Sequence, residues 1–330
     1  MSKVVYLMGA GASYGKRSDG KRIVEGIPVV EEIKEEINRV IEWISTCKVP
    51  NEGYIYQLGD KNYNFDSIMD MLKQDFEWLR DGAFHHATID TFAKKLLIRG
   101  DENEYRKLKF LLCTFFLIEQ VIYPYDKRYD TFFANILTLN ASIPDDIYIM
   151  TWNYDGQLGI AYREYVEENS CRILPEEKVF RINGSANFTG VNNIEACTLP
   201  SMAKEELLSR ILRQYELAYN RVFSTGCIQL KFAWDEEGYN SRRKILYPNI
   251  QDAKVLVVIG YSFPFFNREI DRDIFMNMPN LEKIYIQDPK AEEIKEFLSS
   301  VLTENQREQL FPNVVILDKN KDNFYLPPEL

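Results

Sequence analysis

Two groups of residues in this chain have the types and spacing to hold an anion or to line a ligand crevice. The first is Gly9-Ala10-Gly11-Ala12-Ser13, which directly follows the apolar run Lys3 to Met8. Glycines let a backbone approach a phosphate closely, and the N–H groups and the Ser13 hydroxyl can donate to it. The pattern departs from G-x-G-x-x-G because position 14 is Tyr. It also has no acidic residue at the end of an evident second strand about 20 residues on. The plain alternative is a glycine turn that only joins a strand to a helix.

The second group is polar and sits at the ends of apolar runs. Thr151-Trp152-Asn153-Tyr154-Asp155 follows Ile147 to Met150, Arg181-Ile182-Asn183-Gly184-Ser185 ends a run from Lys178, and Ile259-Gly260-Tyr261-Ser262-Phe263 ends one from Lys254. In an open α/β sheet, ligands collect at the carboxyl ends of strands, so four such ends predict one shared crevice. Asn153 or Asp155 could instead cap the helix that follows. Phe263-Pro264-Phe265-Phe266-Asn267-Arg268 could line the pocket, with Arg268 meeting a phosphate or pairing with Glu269 and Asp271. The two histidines, His85 and His86, are either surface groups or a base that reaches the crevice.

These residues need a scaffold, and the periodicities supply one. Strands are expected at Lys3–Met8, 146–151, 178–182, 254–259, 283–286 and 313–317. Helical spacing marks Val29 to Ile44, Phe65 to Leu79, Glu104 to Tyr123, Leu158 to Glu168, Ala203 to Val222 and Ala291 to Leu302. Lys48 to Asn64 reads as a loop, and 228–247 as a hairpin. The fold class is α/β, a Rossmann-like, mainly parallel sheet in a single domain spanning 1–330, with a helical insertion at about 65–145 and a second at about 190–250. The aromatic stretch Phe110 to Tyr125 fits either core packing or an assembly surface.

Composition narrows the function classes. A chain of 330 residues, 45% hydrophobic, can bury a sizeable core, and its formal charge of -10 weighs against direct nucleic-acid binding, though a local basic patch would still fit. No run is long and apolar enough for a membrane span and no signal peptide is evident, so a cytoplasmic location is expected. Cys47, Cys113, Cys171, Cys197 and Cys227 are dispersed, which predicts buried thiols rather than a metal site or disulfides.

GAGAS, then Gly26-Ile27-Pro28, TWNYD, NGS and IGYSF stand in the order of the motifs of the sirtuin superfamily, and the chain resembles a bacterial sirtuin-like protein over about 1–45, 146–190 and 250–318. The resemblance implies NAD as substrate or ligand. Gly9, Ala10, Gly11 and Ser13 would hold the pyrophosphate, with Gly26, Ile27, Pro28, Thr151, Gly184, Ser185 and Tyr261 completing the binding site. Gly260 and Ser262 would contact the adenosine side, and Asp288 would stand near the adenine ribose. Asn153, Asp155 and Asn183 would face the nicotinamide ribose, Asn153 placing the water or ribose and Asp155 recognising the carboxamide.

Three departures refine this. Asn183 occupies the position of the family's catalytic His, and an amide cannot act as a general base. The zinc-binding cysteine quartet of the deacetylases is missing, so no metal is expected, and Gly26-Ile27-Pro28 continues as Val29-Val30-Glu31 where deacetylases have Asp, Phe and Arg. The resemblance therefore points to the branch that hydrolyses NAD to nicotinamide and ADP-ribose in anti-phage defence, working as a homo-oligomer and switched on by assembly or by a partner protein. The alternative is a non-catalytic module that binds NAD or ADP-ribose; a transferase of ADP-ribose is more remote.

Overall fold

The computed structural model describes residues 3–15, 17–18, 22–23, 25–47, 53–166, 174–188, 203–225, 228–235, 239–318 and 322–330. Its centre is a six-stranded sheet of β1 (Lys3–Met8), β6 (Ile147–Thr151), β7 (Val179–Arg181), β8 (Ala253–Ile259), β9 (Lys283–Gln287) and β10 (Val314–Leu317). The spatial order is β10-β9-β8-β1-β6-β7, and every neighbouring pair is parallel. Numbered by appearance, that order is 3-2-1-4-5-6, the arrangement of doubly wound dinucleotide-binding sheets. The chain reverses direction across the sheet between β1 and β8, and a short antiparallel pair, β2 (Arg17–Ser18) and β3 (Arg22–Ile23), stands apart from it. Met8 pairs with both Thr151 and Ile259, so β1, β6 and β8 end level and their following turns meet at one edge.

Strand composition explains the sheet. Val4 to Met8 and Leu256 to Ile259 are buried throughout, and β-branched runs of this kind fit strands covered on both faces. On one face pack α8 (Tyr239–Ile250), α9 (Arg268–Met276), α10 (Ala291–Ser299) and α11 (Glu304–Leu310). On the other pack α5 (Lys127–Ile136), α6 (Gln157–Arg163) and Phe324 of the C-terminal segment. A separate helical core unites α1 (Ile33–Thr46), α2 (Phe65–Phe84), α3 (Ile89–Arg99), α4 (Glu102–Ile122) and α7 (Lys204–Thr225).

Helices α2 to α4 of the first insertion and α7 of the second thus build one helical body with α1. Phe110 on α4 packs against Phe188 and against Tyr215 and Tyr219 of α7, with ring centroids 5.5, 5.0 and 6.3 Å away. The aromatic stretch is core: Phe110, Phe115, Phe116 and Tyr125 are buried. Each such side chain contributes on the order of 2 kcal/mol. Among the described residues no single helix is long and apolar enough to cross a membrane. Cys113 is buried and Cys47 partly so; Cys171, Cys197 and Cys227 lie outside the described residues.

Four sequence-based expectations change. The glycine turn opens only a 3-10 turn, Ala10–Ala12, and the first α-helix among the described residues begins at Ile33. Gly15 at φ +68° and Gly26 at φ +79° take the left-handed region, which a continuing helix excludes. The stretch 48–64 contains a small hairpin, β4 (Tyr56–Leu58) and β5 (Lys61–Tyr63), joined by Gly59-Asp60 with Gly59 at φ +58°. The hairpin expected at 228–247 is an extended segment, 228–235, followed by α8; Tyr239, Leu246 and Ile250 recur at helical spacing and bury one face. The helix expected at 158–168 is shorter, because α6 ends at Arg163; 167–168 lie outside the described residues.

Candidate functional site

The turns after β1 and β8 interlock at the point where the sheet order reverses. Gly9 N–H donates to Ile259 O and Gly11 N–H to Gly260 O, each at 2.9 Å. A Cβ on Gly9 would lie 2.6 Å from Gly260 O, and one on Gly11 2.7 Å from Gly260 Cα. Gly260, at φ +58°, lies just as close to Gly11 from the other side. These glycines are required for backbone to pass backbone, a need the plain connecting role already predicts.

Beneath the turn lies a buried polar network. Asn153 Nδ2 donates to Gly9 O at 2.9 Å and to Ser13 Oγ at 3.0 Å. A carbonyl oxygen only accepts, so the Gly9 contact fixes which end of the Asn153 amide faces the turn. Asn153 Oδ1 has no protein partner among the described residues and is not among the buried unpartnered atoms, so it keeps some accessible surface although the residue is buried. Ser13 Oγ donates to Asp155 Oδ1 at 3.1 Å and shares a 3.0 Å hydrogen bond with the Tyr129 hydroxyl.

Asp155 also accepts from Gln157 N–H at 3.0 Å, so it stabilises the start of α6 as well as joining the network. Burial pushes its carboxyl above the ordinary range, opposed by the Gln157 N–H, the Ser13 hydroxyl and the Arg181 charge. Gly26 and Ile27 sit against the same turn: Ile27 N–H donates to Ser13 O at 2.6 Å, and Pro28 is buried beside them. Thr151 Oγ1 accepts from Asn153 N–H at 3.0 Å.

The Asn183 end is built differently. Asn183 Nδ2 donates to the Tyr154 hydroxyl at 3.2 Å, and the Asn183 backbone carbonyl accepts from Lys231 N–H at 2.8 Å. Ser185 Oγ donates to Gln229 Oε1 at 3.0 Å, while Gly184, at φ +73°, lies directly beneath the Gln229 carbonyl. The segment 228–235 therefore covers the ends of β6 and β7. Asp235 anchors it to α4, accepting from Tyr105 and Lys109, each at 2.7 Å.

Tyr261 stacks on Trp152 with ring centroids 5.6 Å apart, and its hydroxyl binds the buried Asp271. Burial holds the Asp271 carboxyl far above its ordinary range. Ser262 is exposed at the end of β8, and Asp288, after β9, accepts from Lys290 N–H at 2.8 Å. Arg268 lies over the Phe265 ring at 4.9 Å. His85 and His86 bond to Asp81 O and Gly82 O of their own helix, and His86 stacks on Phe92; neither touches Asn153, Asp155 or Asn183.

Several site residues were missed from the sequence. Tyr129 completes the Ser13 network, and burial drives its hydroxyl well above the usual range. Arg128 reaches Gly11 O at 2.7 Å across 117 positions. Asp126 carried a readable signal, an acidic cap after Pro124, and it does accept from Arg128 N–H at 2.9 Å. Asp90 and Asp235 raise the Tyr154 hydroxyl further after burial has done so, and burial with Glu31 pushes Asp90 itself up to about 6. No sequence pattern links these positions. No family model and no curated protein matches this chain.

Proposed function

We propose that the carboxyl edge of the sheet binds NAD and that the chain hydrolyses it to nicotinamide and ADP-ribose. The observation carrying this reading is the Asn153 amide, oriented by two donated hydrogen bonds so that Oδ1 is left to accept one. An acceptor held rigidly at a strand end suits a ribose hydroxyl or an attacking water, and preorganised polar groups are the main source of stabilisation when charge develops on a sugar. In the net reaction the bond from ribose C1′ to the nicotinamide nitrogen breaks, its electron pair leaves with neutral nicotinamide, and water adds to C1′ and releases one proton. Asp155, fixed by Ser13 and Gln157, would face the departing carboxamide. Ser13, Asn153 and Tyr129 hold the floor of that site.

The five motifs in sirtuin order support the same reading, as does the 3-2-1-4-5-6 strand order. Defence by depletion of the cytoplasmic NAD pool, with activation by assembly or by a partner protein, is the context that the resemblance supplies. The covering of Asn183 by 228–235 is consistent with a site that needs activation.

One observation favours a second reading, a module that binds NAD or ADP-ribose without turnover. Asn183 stands where a base is expected, its side-chain Nδ2 donates to the Tyr154 hydroxyl and its backbone carbonyl accepts from Lys231 N–H. Following nicotinamide release from NAD by the full chain, alone and with the protein encoded beside it, separates the two. Turnover that falls about a thousandfold in Asn153→Ala supports hydrolysis. Tight NAD binding without nicotinamide under every condition rejects it, and radiolabelled protein would indicate transfer instead.

A further inference from the structure

A diphosphate needs donors, and the glycine turn has few to spare. The N–H groups of Gly9, Gly11, Ala12 and Ser13 all donate within the protein, to Ile259, Gly260, Gly9 and Ala10 respectively. The turn opens no α-helix, so the partial positive charge of a helix N-terminus is not delivered there. A cation stands at the turn instead.

Arg128 extends from the first turn of α5, and its Nη2 donates to Gly11 O at 2.7 Å. Its Nε donates to both carboxylate oxygens of Asp126, each at 3.0 Å. Asp126 is itself fixed by Gly15 N–H at 2.8 Å and is almost fully buried. The guanidinium lies 4.9 Å over the Phe324 ring, a platform from the C-terminal segment. Nε and Nη2 are therefore committed. Nη1 has no acceptor among the described residues and is not among the buried unpartnered atoms; the side chain is 16% exposed.

We propose that Arg128 is the phosphate anchor of this crevice, offering Nη1 to the diphosphate of a nucleotide bound against the Gly9–Gly11 turn. The inference rests on the nucleotide-binding reading of the crevice and is independent of whether the bound nucleotide is hydrolysed. A guanidinium keeps its charge at any working pH and presents its N–H groups in a fixed plane. Asp126 sets that plane in advance, so little side-chain freedom is lost when an anion arrives. The Arg128 charge also reaches the end of β9, where it opposes the rise that burial imposes on the Asp288 carboxyl. The anchor and the residue assigned to the adenine ribose thus belong to one neighbourhood.

The test is calorimetric titration of the full chain with ADP, adenosine and inorganic pyrophosphate, for the parent and for Arg128→Lys. The parent is expected to bind ADP at least about tenfold more tightly than adenosine, with pyrophosphate competing. Arg128→Lys keeps the charge but loses the fork; it is expected to weaken ADP and pyrophosphate about tenfold and leave adenosine unchanged. ADP binding equal in parent and variant, or no preference for ADP over adenosine, overturns the proposal. Should the variant not fold, the parent decides, because pyrophosphate that fails to displace ADP rejects the anchor. Nicotinamide release with an unaltered KM in Arg128→Lys removes the anchor alone, whereas Arg128-dependent ADP binding without nicotinamide release removes hydrolysis alone.

Discussion

At the Ser13 end of the crevice, strands do the positioning. β1 and β6 pair in register up to Met8 and Thr151, and the side chains of Ser13, Asn153 and Asp155 meet because their strands end level. At the Asn183 end, the partners come from the helical body and from a connecting segment: Tyr105 and Lys109 of α4, Asp235 and the backbone of Gln229 and Lys231. The first arrangement moves only if the sheet moves. The second hangs on a segment of a few residues, so along this edge a half expected to be rigid lies beside a half expected to adjust.

The sharpest way to break this comparison is to add one methyl group at each end. Gly260→Ala drives a Cβ into the Gly11 backbone from a residue at φ +58°, with both backbones fixed by β1 and β8. The expected loss is about 3 kcal/mol or more, read from urea unfolding. Gly184→Ala, at φ +73°, meets the Gln229 carbonyl, which can retreat with its segment. A smaller loss, about 1 to 2 kcal/mol, is expected there. Equal losses at the two positions would show that the connecting segment is as rigid as the sheet.

The same contrast applies to turnover. Asn153→Ala removes the amide that spans Gly9 and Ser13, whereas Asn183→Ala removes a single bond to the Tyr154 hydroxyl. If the chain is a hydrolase, Asn183→Ala lowers the rate of nicotinamide release by only about tenfold, against about a thousandfold for Asn153→Ala. The reverse ranking would move the chemistry to the Asn183 end.

What the sequence made legible follows this division. Six strand cores and the polar turns after four of them were readable, because buried parallel strands are continuous apolar runs and their ends carry small or polar residues. The meeting of Gly9 with Gly260 follows once the strand order is known. Tyr129, Arg128, Asp90 and Asp235 were not readable, since the first three come from helices and the last from a connecting segment, placed by tertiary packing that no local period encodes. The glycine turn itself was half legible: its position at the carboxyl edge of the sheet was readable, but not that its N–H groups are already used. The region 228–247 misled because Gln229-Leu230-Lys231-Phe232 alternates like a strand, yet its backbone pairs with Asn183 and Asn187 rather than with itself.

The smallest expected effect tests the adjustable half by its charge. Both Asp155 and Asp90 are raised by burial, but Ser13 and Gln157 donate to Asp155 and hold its rise back, while Glu31 adds to the rise at Asp90. Asp90 is pushed from its ordinary 3.8 up to about 6. Between those values the folded chain keeps a proton that the unfolded chain has released. Stability is therefore fully present below the unfolded value and declines as pH rises through about 6. Asp90→Asn removes the half-buried charge, so its melting temperature should exceed the parent's by a few degrees at about pH 8 and match it at about pH 4. A difference of the same size at both pH values would mean that Asp90 does not titrate in this window. The field it imposes on Tyr154, and through Tyr154 on Asn183, would then not change with pH.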